Sequence, residues 1–378
     1  MTHVLRRVLV TGADGFIGKN LAVRLSEHPD ISVRKFVRGD DVGLLRDLVA
    51  DADFIVHLAG ENRPPREEDF ALVNADLTAT LCSEVSREFS ATGRNIPLVL
   101  ASSTQADRDN PYGRSKLAAE SAVCKLAGET GNPCIIFRLP GVFGKWCRPN
   151  YNSVVATFCH NTARGLPIQV NDPAAVLKLV YIDDVVAAII SALESAASGV
   201  SQGVVQPEYS VSLGELAQQI KAFDFCRKDL HVDRVGTGFV RALYATYVSY
   251  LPNEKFVYEV PQYADPRGVF VEMLKTPDSG QFSYFTAHSG VTRGGHYHHT
   301  KTEKFLVIRG EALFRFRHLI TGELVELRTS GSKAEVVDTI PGWAHDITNI
   351  GGEEMIVMLW ANENFDRQNP DTVARKVG

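Results

Sequence analysis

The chain has 378 residues, 44% hydrophobic and 22% charged, with a formal net charge of -5. That composition fits a globular protein too long for one ordinary core, so two domains are expected. The slight negative charge gives no global attraction to nucleic acid or anionic membranes, no apolar run is long enough to span a bilayer, and no signal peptide fits the N-terminus. The cytoplasm is the expected compartment. The six cysteines, Cys82, Cys124, Cys134, Cys147, Cys159 and Cys226, form no Cys-x-x-Cys pair and read as reduced, buried thiols.

Arg7 to Thr11 reads as a short apolar strand, followed by a turn with Gly12, Gly15 and Gly18 and then an amphipathic run from Lys19 to Leu25. Strand, glycine turn and helix in that order make a nucleotide site, because glycines let the backbone approach a pyrophosphate whose charge sits on the helix N-terminus. A second strand, Val33 to Val37, ends at Arg38. An arginine there can pair with the 2′-phosphate of NADP, whereas an acidic residue would bond the ribose of NAD. Asp40 and Asp41 follow at once, and a shifted register would reverse the preference. Phe54 to Gly60 reads as a third buried strand, with His57 expected to be a satisfied core residue. Leu98 to Ala101 leads into Ser102, Ser103 and Thr104, hydroxyls at the end of a strand where such sheets bind ligands.

Strands alternating with helical segments predict a doubly wound parallel α/β sheet. In the helical run that follows, Tyr112 and Lys116 are four residues apart and share a face. A free tyrosine titrates near 10, and bringing it to about 7 needs roughly 4 kcal/mol of preferential phenolate stabilisation. A neighbouring ammonium in a dry pocket can supply much of it. Alone, Tyr-x-x-x-Lys is a common accident on solvated helices, so its context decides its meaning. Gly144 to Ser153 is aromatic, polar and basic, the mixture expected either of an ordinary surface loop or of one that grips a uracil ring and pyrophosphate. The Gly/Ser-rich run Ser198 to Ser210 reads as an internal connection, since a helical period resumes at Leu213.

With Gly12/Gly15/Gly18, His57-Leu58-Ala59-Gly60, Ser102-Ser103, Tyr112-x-x-x-Lys116, Arg138 and Tyr181-Ile-Asp183-Asp184 in this order, the first two thirds of the chain resemble the extended short-chain dehydrogenases/reductases of the sugar-nucleotide type. The resemblance implies a Rossmann-like fold with Tyr112 as proton donor or acceptor, Lys116 on the nicotinamide ribose and Ser103 on the reacting carbonyl; Ser102 or Thr104 takes that role if the register slips. It implies NADPH contacts from Gly12, Gly15, Phe16, Ile17, Gly18, Arg38, Leu58, Ala59, Gly60, Tyr112 and Lys116. UDP-sugar contacts are expected from Arg138, Lys145, Arg148 and Asn152. Gly141 stands where the family usually has asparagine, which removes one expected substrate contact.

Beyond Tyr250-Leu-Pro252 the pattern changes to short alternating strands with Gly/Pro turns, an all-β barrel or jelly-roll signature. The expected domains are therefore residues 1–250 and 251–378. His296 and His298 share a strand face, and Glu303 on the next strand and His345 can complete a site. This spacing resembles the cupin family. Imidazoles with a carboxylate suit a divalent transition metal, with zinc as the first choice, and His299 is a spare ligand for His298. A competing resemblance, carried by Asp265 to Phe270 and Arg293 to Tyr297, is to metal-free sugar-nucleotide 3,5-epimerases in which a histidine is the base.

The two modules in this order resemble the bifunctional capsular polysaccharide and O-antigen enzymes of the CapF/WbjC type. That resemblance implies a route to UDP-N-acetyl-L-fucosamine: C3 epimerisation of a UDP-4-keto-6-deoxy-HexNAc in the cupin domain, then NADPH-dependent C4 reduction to UDP-N-acetyl-6-deoxy-L-talosamine. Tyr297, His299, Lys301 and Asp346 are low-ranked epimerase bases, and a homodimer is expected. Two other readings remain: a single-activity reductase or epimerase with a structural zinc cupin serving dimerisation, and a non-enzymatic sugar-nucleotide binding protein.

Overall fold

The computed structural model describes residues 6–194, 197–260, 262–265, 268–271, 274, 276, 280–363 and 368–378. Two compact units emerge: one holds the residues up to Ser153 together with Leu177–Ser210, the other Val154–Val176 together with Val211–Gly378.

The first unit is built on a six-stranded parallel sheet. Its strands are β1 (Arg6–Thr11), β2 (Ile31–Phe36), β3 (Phe54–His57), β4 (Leu98–Ser103), β5 (Cys134–Leu139) and β6 (Val200–Gly203), in the spatial order β2-β1-β3-β4-β5-β6. Helices α1 (Phe16–Leu25), α2 (Leu77–Thr92), α3 (Pro111–Thr130) and α4 (Ile182–Glu194) accompany it. Leu9, Ile55, Leu98, Leu100 and Ile136 from the strands are buried in one cluster with Leu81 and Val85 of α2 and Val123 and Leu126 of α3. Buried strands of this kind are near-continuously apolar, which is why they are visible in the sequence. This is the expected Rossmann-like, doubly wound sheet. The strand order reverses between β1 and β3, and the crevice at the carboxyl ends of such strands is where doubly wound folds bind ligands.

The Ser198–Ser210 run is corrected here: it is not merely a connection, since β6 lies within it and pairs in parallel with β5 from Cys134↔Val200 to Phe137↔Gly203. The strand is polar because it lies at the edge of the sheet. Gly203 packs so closely on Phe137 that a Cβ would lie 2.5 Å from the ring.

In the second unit two antiparallel five-stranded sheets form the jelly roll of the expected all-β class. The strands are β7 (Val257–Glu259), β8 (Gln281–Ala287), β9 (Thr292–Tyr297), β10 (Glu303–Arg309), β11 (Glu311–His318), β12 (Leu324–Ser330), β13 (Glu335–Asp338), β14 (Trp343–Asn349), β15 (Met355–Ala361) and β16 (Val373–Ala374). One sheet runs β7-β13-β10-β15-β8 and the other β12-β11-β14-β9-β16. Alternation along β11 buries Ala312, Phe314 and Phe316. Phe314 meets Phe305 of β10 with ring centroids 5.7 Å apart, and Phe256 meets Trp343 at 5.3 Å.

The sequence expectation puts the domain boundary at 250/251, whereas helices α5 (Leu213–Asp229) and α6 (Gly238–Val248) group with the jelly roll. Their side chains give the physical reason. Arg227 of α5 bonds Asp338 and stacks 4.2 Å over the Tyr258 ring, while Lys304 reaches the same carboxylate at 2.6 Å. Two buried cations thus share one buried carboxylate, an arrangement that is stable only while each partner is present.

Candidate functional site

The glycine turn after β1 is set by close approach. Gly12 has φ +67, and a Cβ there would lie 2.7 Å from the Ala59 nitrogen; at Gly18 it would lie 2.3 Å from the Gly12 oxygen. The turn therefore presses onto Leu58 and Ala59 just beyond β3, with Gly60 next in the chain. Phe16 and Ile17 open α1, whose first N–H groups have no intrahelical partners and favour an anion. Arg38, just beyond β2, is largely exposed and donates to Glu61 at 2.5 Å. Asp40 and Asp41 are engaged by their own turn, accepting from the Val37 and Gly43 amides at 2.8 Å each.

Helix α3 carries Tyr112, Lys116 and Glu120 at four-residue spacing. Asn110 caps its N-terminus by accepting from the Gly113 amide at 2.8 Å, with Pro111 in the first turn. Ser103 lies close enough to Tyr112 to pull its pKa downward against burial. Of the three neighbouring hydroxyls only Ser103 has this position: Ser102 donates to Glu120 at 2.5 Å, and Thr104 opens a short 3-10 turn.

Lys116 is buried, its Nζ donating to the Ala101 carbonyl at 3.2 Å and lying 6.0 Å from the Tyr112 ring centre. Burial lowers its pKa to about 8, against the opposing pull of Glu120. The expected lowering of Tyr112 is not observed. Burial raises its pKa, with Ser103 working the other way, because the ammonium is held on a backbone carbonyl rather than on the phenol oxygen. A phenol kept neutral is a proton donor.

Behind this pair lies a residue the sequence reading missed. Asn74, on a π-helical turn, is buried and bonds the Glu61 amide (2.8 Å), the Glu61 carbonyl (2.9 Å) and the Ser115 hydroxyl (2.9 Å). Such turns inside helices frequently mark functional sites. A Cβ on Gly60 would lie 2.9 Å from Asn74 Oδ1 and 3.0 Å from Lys116 Nζ, so this glycine makes room for both. His57 is the expected core residue, bonded to Thr11 at 2.6 Å and Thr78 at 2.8 Å; burial, then the Lys116 charge, push its pKa down to about 3.

The four residues expected to hold substrate divide into two groups. Arg138 is a bidentate partner of both Glu120 and Asp107, at 2.7–3.2 Å, and so braces the carboxylate under Lys116. Lys145 is buried against Asp183 at 2.7 Å. Arg148 and Asn152, by contrast, lie on an accessible loop: Arg148 stacks 5.0 Å from the Tyr151 ring, and Asn152 accepts from Arg63 at 3.1 Å. Tyr151 donates to Glu61 at 2.6 Å, so the carboxylate that holds Arg38 also holds this loop. At Gly141 a Cβ would lie 2.9 Å from the Leu179 Cδ2 atom and 3.1 Å from the Lys178 carbonyl.

In the jelly roll, ligand atoms of His296, His298, Glu303 and His345 lie within 4.8 Å of one another. Strand pairing explains the convergence: His296 faces His345 across β9 and β14, and Glu303 opens β10. His298 Nε2 is 3.1 Å from Glu303 Oε2. His345 Nε2 is 3.6 Å from the same oxygen, and among the described residues neither buried ring nitrogen has a hydrogen-bond partner. Burial would raise the Glu303 carboxyl, but the neighbouring His298, His345 and Lys301 hold it well below the ordinary carboxylate range. Burial, then His345 and His298, push the His296 imidazole down to about 3. Three imidazoles, one carboxylate and an orphaned buried ring fit a divalent cation.

The remaining base candidates are mostly engaged. Asp346 is bidentate with Arg315 at 2.8–2.9 Å, Lys301 pairs with Glu303 at 2.8 Å, and the His299 ring packs 5.5 Å from Tyr297. Of the segment that carried the metal-free epimerase resemblance, Pro266 and Arg267 lie outside the described residues.

Residues 8–206 match the NAD dependent epimerase/dehydratase family, and residues 263–373 match the polysaccharide biosynthesis C-terminal domain. The chain is 56% identical to a UDP-2-acetamido-2,6-beta-L-arabino-hexul-4-ose reductase of Pseudomonas aeruginosa, over 98% of this chain and 99% of the relative. A crystal structure of the capsular polysaccharide assembling protein CapF from Staphylococcus aureus is 42% identical, covers 98% of this chain and 99% of its own, and superposes with a TM-score of 0.66. The NAD+ complex of Bordetella bronchiseptica WbmF, 19% identical, shares the fold over 59% of this chain and 80% of its own with a TM-score of 0.51.

Proposed function

The chain belongs to the NAD dependent epimerase/dehydratase family, in the CapF-type form with a polysaccharide biosynthesis C-terminal domain, and from that premise we propose a bifunctional UDP-sugar enzyme. Its substrate is a UDP-4-keto-6-deoxy-HexNAc on the way to UDP-N-acetyl-L-fucosamine. The jelly roll inverts C3, and the Rossmann-like unit then reduces C4. The observation that carries this reading is the grouping of Ser103 at the end of β4 with Tyr112 and a buried Lys116 four residues apart on α3.

The chemistry fixes the order. A 4-ketone acidifies the hydrogen on C3, and reduction would remove that ketone, so epimerisation comes first. A divalent cation, zinc by our reading, held by His296, His298, Glu303 and His345 would supply positive charge for the enolate. A base in the jelly roll takes the C3 proton, and a proton delivered to the opposite face inverts the centre. Bound NADPH supplies the hydride for the second step. Ser103 orients the C4 carbonyl, Tyr112 gives its proton to the C4 oxygen, and Lys116 keeps positive charge beside the phenol as that proton leaves. Arg148 and Asn152, on the accessible loop, are our choice for the UDP contacts. Arg138 and Lys145 act through the residues they hold.

Arg38 makes the cofactor preference testable. Its exposed guanidinium should pair with a 2′-phosphate, and a charge-assisted bond contributes about 1.5–3 kcal/mol. Arg38→Ala is expected to weaken NADPH binding by about 10- to 100-fold and leave NADH binding nearly unchanged, read by nicotinamide fluorescence titration. Equal losses for both dinucleotides would remove the NADPH assignment.

A further inference from the structure

Asp371 lies next to the histidine cluster without contributing a ligand atom to it. Its carboxylate accepts four hydrogen bonds from the turn between His298 and Glu303: from the amides of His299 (2.8 Å), Thr300 (2.6 Å) and Lys301 (2.7 Å), and from the Thr300 hydroxyl (2.9 Å). Its backbone carbonyl meets His298 Nδ1. Two residues on, β16 pairs with the ligand strand, His296↔Ala374 and Tyr297↔Val373, and the Arg375 amide donates to Gly295 at 2.7 Å. Arg241 of α6 bonds Thr300, ion-pairs with Glu363 at 2.7 Å and lies 4.0 Å from Asp371.

A backbone carbonyl can only accept, so the bond from His298 places a proton on Nδ1. With a cation in the cluster, the Nε2 lone pair and Glu303 Oε2, 3.1 Å apart, would then both be available as ligands. The same segment thus selects the tautomer of one ligand, pairs with the strand of a second and holds the backbone leading to a third.

We propose that residues 371–375 are a clasp that sets the geometry of the histidine cluster, with Asp371 as its positioning residue, so that divalent-cation binding and docking of this segment are thermodynamically coupled. The inference rests on reading the cluster as a cation site. Coupling of this kind is reciprocal: the docked segment raises cation affinity, and the cation must steady the segment. Outer partners that orient metal-ligating histidines typically change metal affinity 10- to 100-fold when removed.

The test uses the full chain, with Co2+ and Zn2+ as probes. Asp371→Ala is expected to bind Co2+ about 10- to 100-fold more weakly in chelator competition. Asp371→Asn, which keeps one carboxamide acceptor, should fall between it and the parent, with an altered Co2+ absorption spectrum. Dinucleotide affinity should be unchanged in both. A second measurement needs no variant: Zn2+ should slow hydrogen exchange at the amides of His299, Thr300, Lys301 and Arg375 in the parent protein, and this decides the matter if the variants do not fold. If the parent binds cation while both variants match it and those amides exchange unchanged, the clasp is overturned. If the parent binds no cation at all, the cation-site reading itself fails, and the clasp with it.

Discussion

Replacing Tyr112 with phenylalanine is expected to lower ketone reduction by about 10²- to 10⁴-fold, the usual contribution of a positioned acid. The substitution removes one oxygen, leaves Lys116 on the Ala101 carbonyl and keeps the ring contact with Phe70 at 5.7 Å. NADPH affinity should therefore stay within a few-fold, and the loss should appear in kcat rather than in cofactor binding. The pH profile carries a second signature. Burial raises the Tyr112 pKa, so the phenol stays protonated through the working range, whereas Lys116 titrates at about 8. Reduction should hold below that value and decline as pH rises through it, because the cation that steadies the departing proton is lost. Stability moves the other way. The folded-state value lies below that of free lysine, so the unfolded chain binds more protons from about pH 8 upward and this group's contribution to stability rises over that window. Full reduction by Tyr112→Phe, measured as NADPH oxidation with a 4-keto sugar nucleotide, would remove the phenol from the mechanism.

His345→Ala is expected to lower cation affinity by at least about 100-fold and to stop hydrogen exchange at C3, while reduction of an already epimerised ketone continues. The argument rests on an unmet need. His345 is buried, and neither ring nitrogen has a hydrogen-bond partner among the described residues. Leaving a buried polar group unsatisfied costs about 1–3 kcal/mol, which a cation bound at Nε2 would offset. Glu303 Oε2, 3.6 Å away, is too far for a hydrogen bond but well placed to share a cation. Metal content by elemental analysis and deuterium uptake at C3 check the two parts separately. A variant with parental metal content would show that His345 is a core residue only.

What was legible in the sequence was local. The strand, glycine turn and helix from Arg6 to Leu25 announce themselves because apolar periodicity and glycine spacing have one reading in that order. Tyr112 and Lys116 share a helix face by arithmetic, and His296 and His298 share a strand face by the same arithmetic. The missing parts depend on partners far away in the chain. Nothing near Asn74 signals that it will bind both Glu61 and Ser115, and Lys145 looks like a loop cation until Asp183 packs against it. Val200–Gly203 is only four residues long and has one apolar side chain, so only its pairing with β5 makes it a strand. The four acceptor bonds of Asp371 to residues 299–301 appear only once the C-terminal strand is docked.

The central claim is that one chain carries two chemistries in a fixed order, inversion at C3 and then reduction at C4. It is tested most directly by incubating the protein in heavy water, without NADPH, with UDP-4-keto-6-deoxy-N-acetylglucosamine or its C5 epimer, and recording the C3 position by NMR and mass spectrometry. The account predicts deuterium at C3, retained in Tyr112→Phe and lost in His345→Ala. No deuterium at C3, from a preparation that still reduces the ketone once NADPH is added, would contradict it.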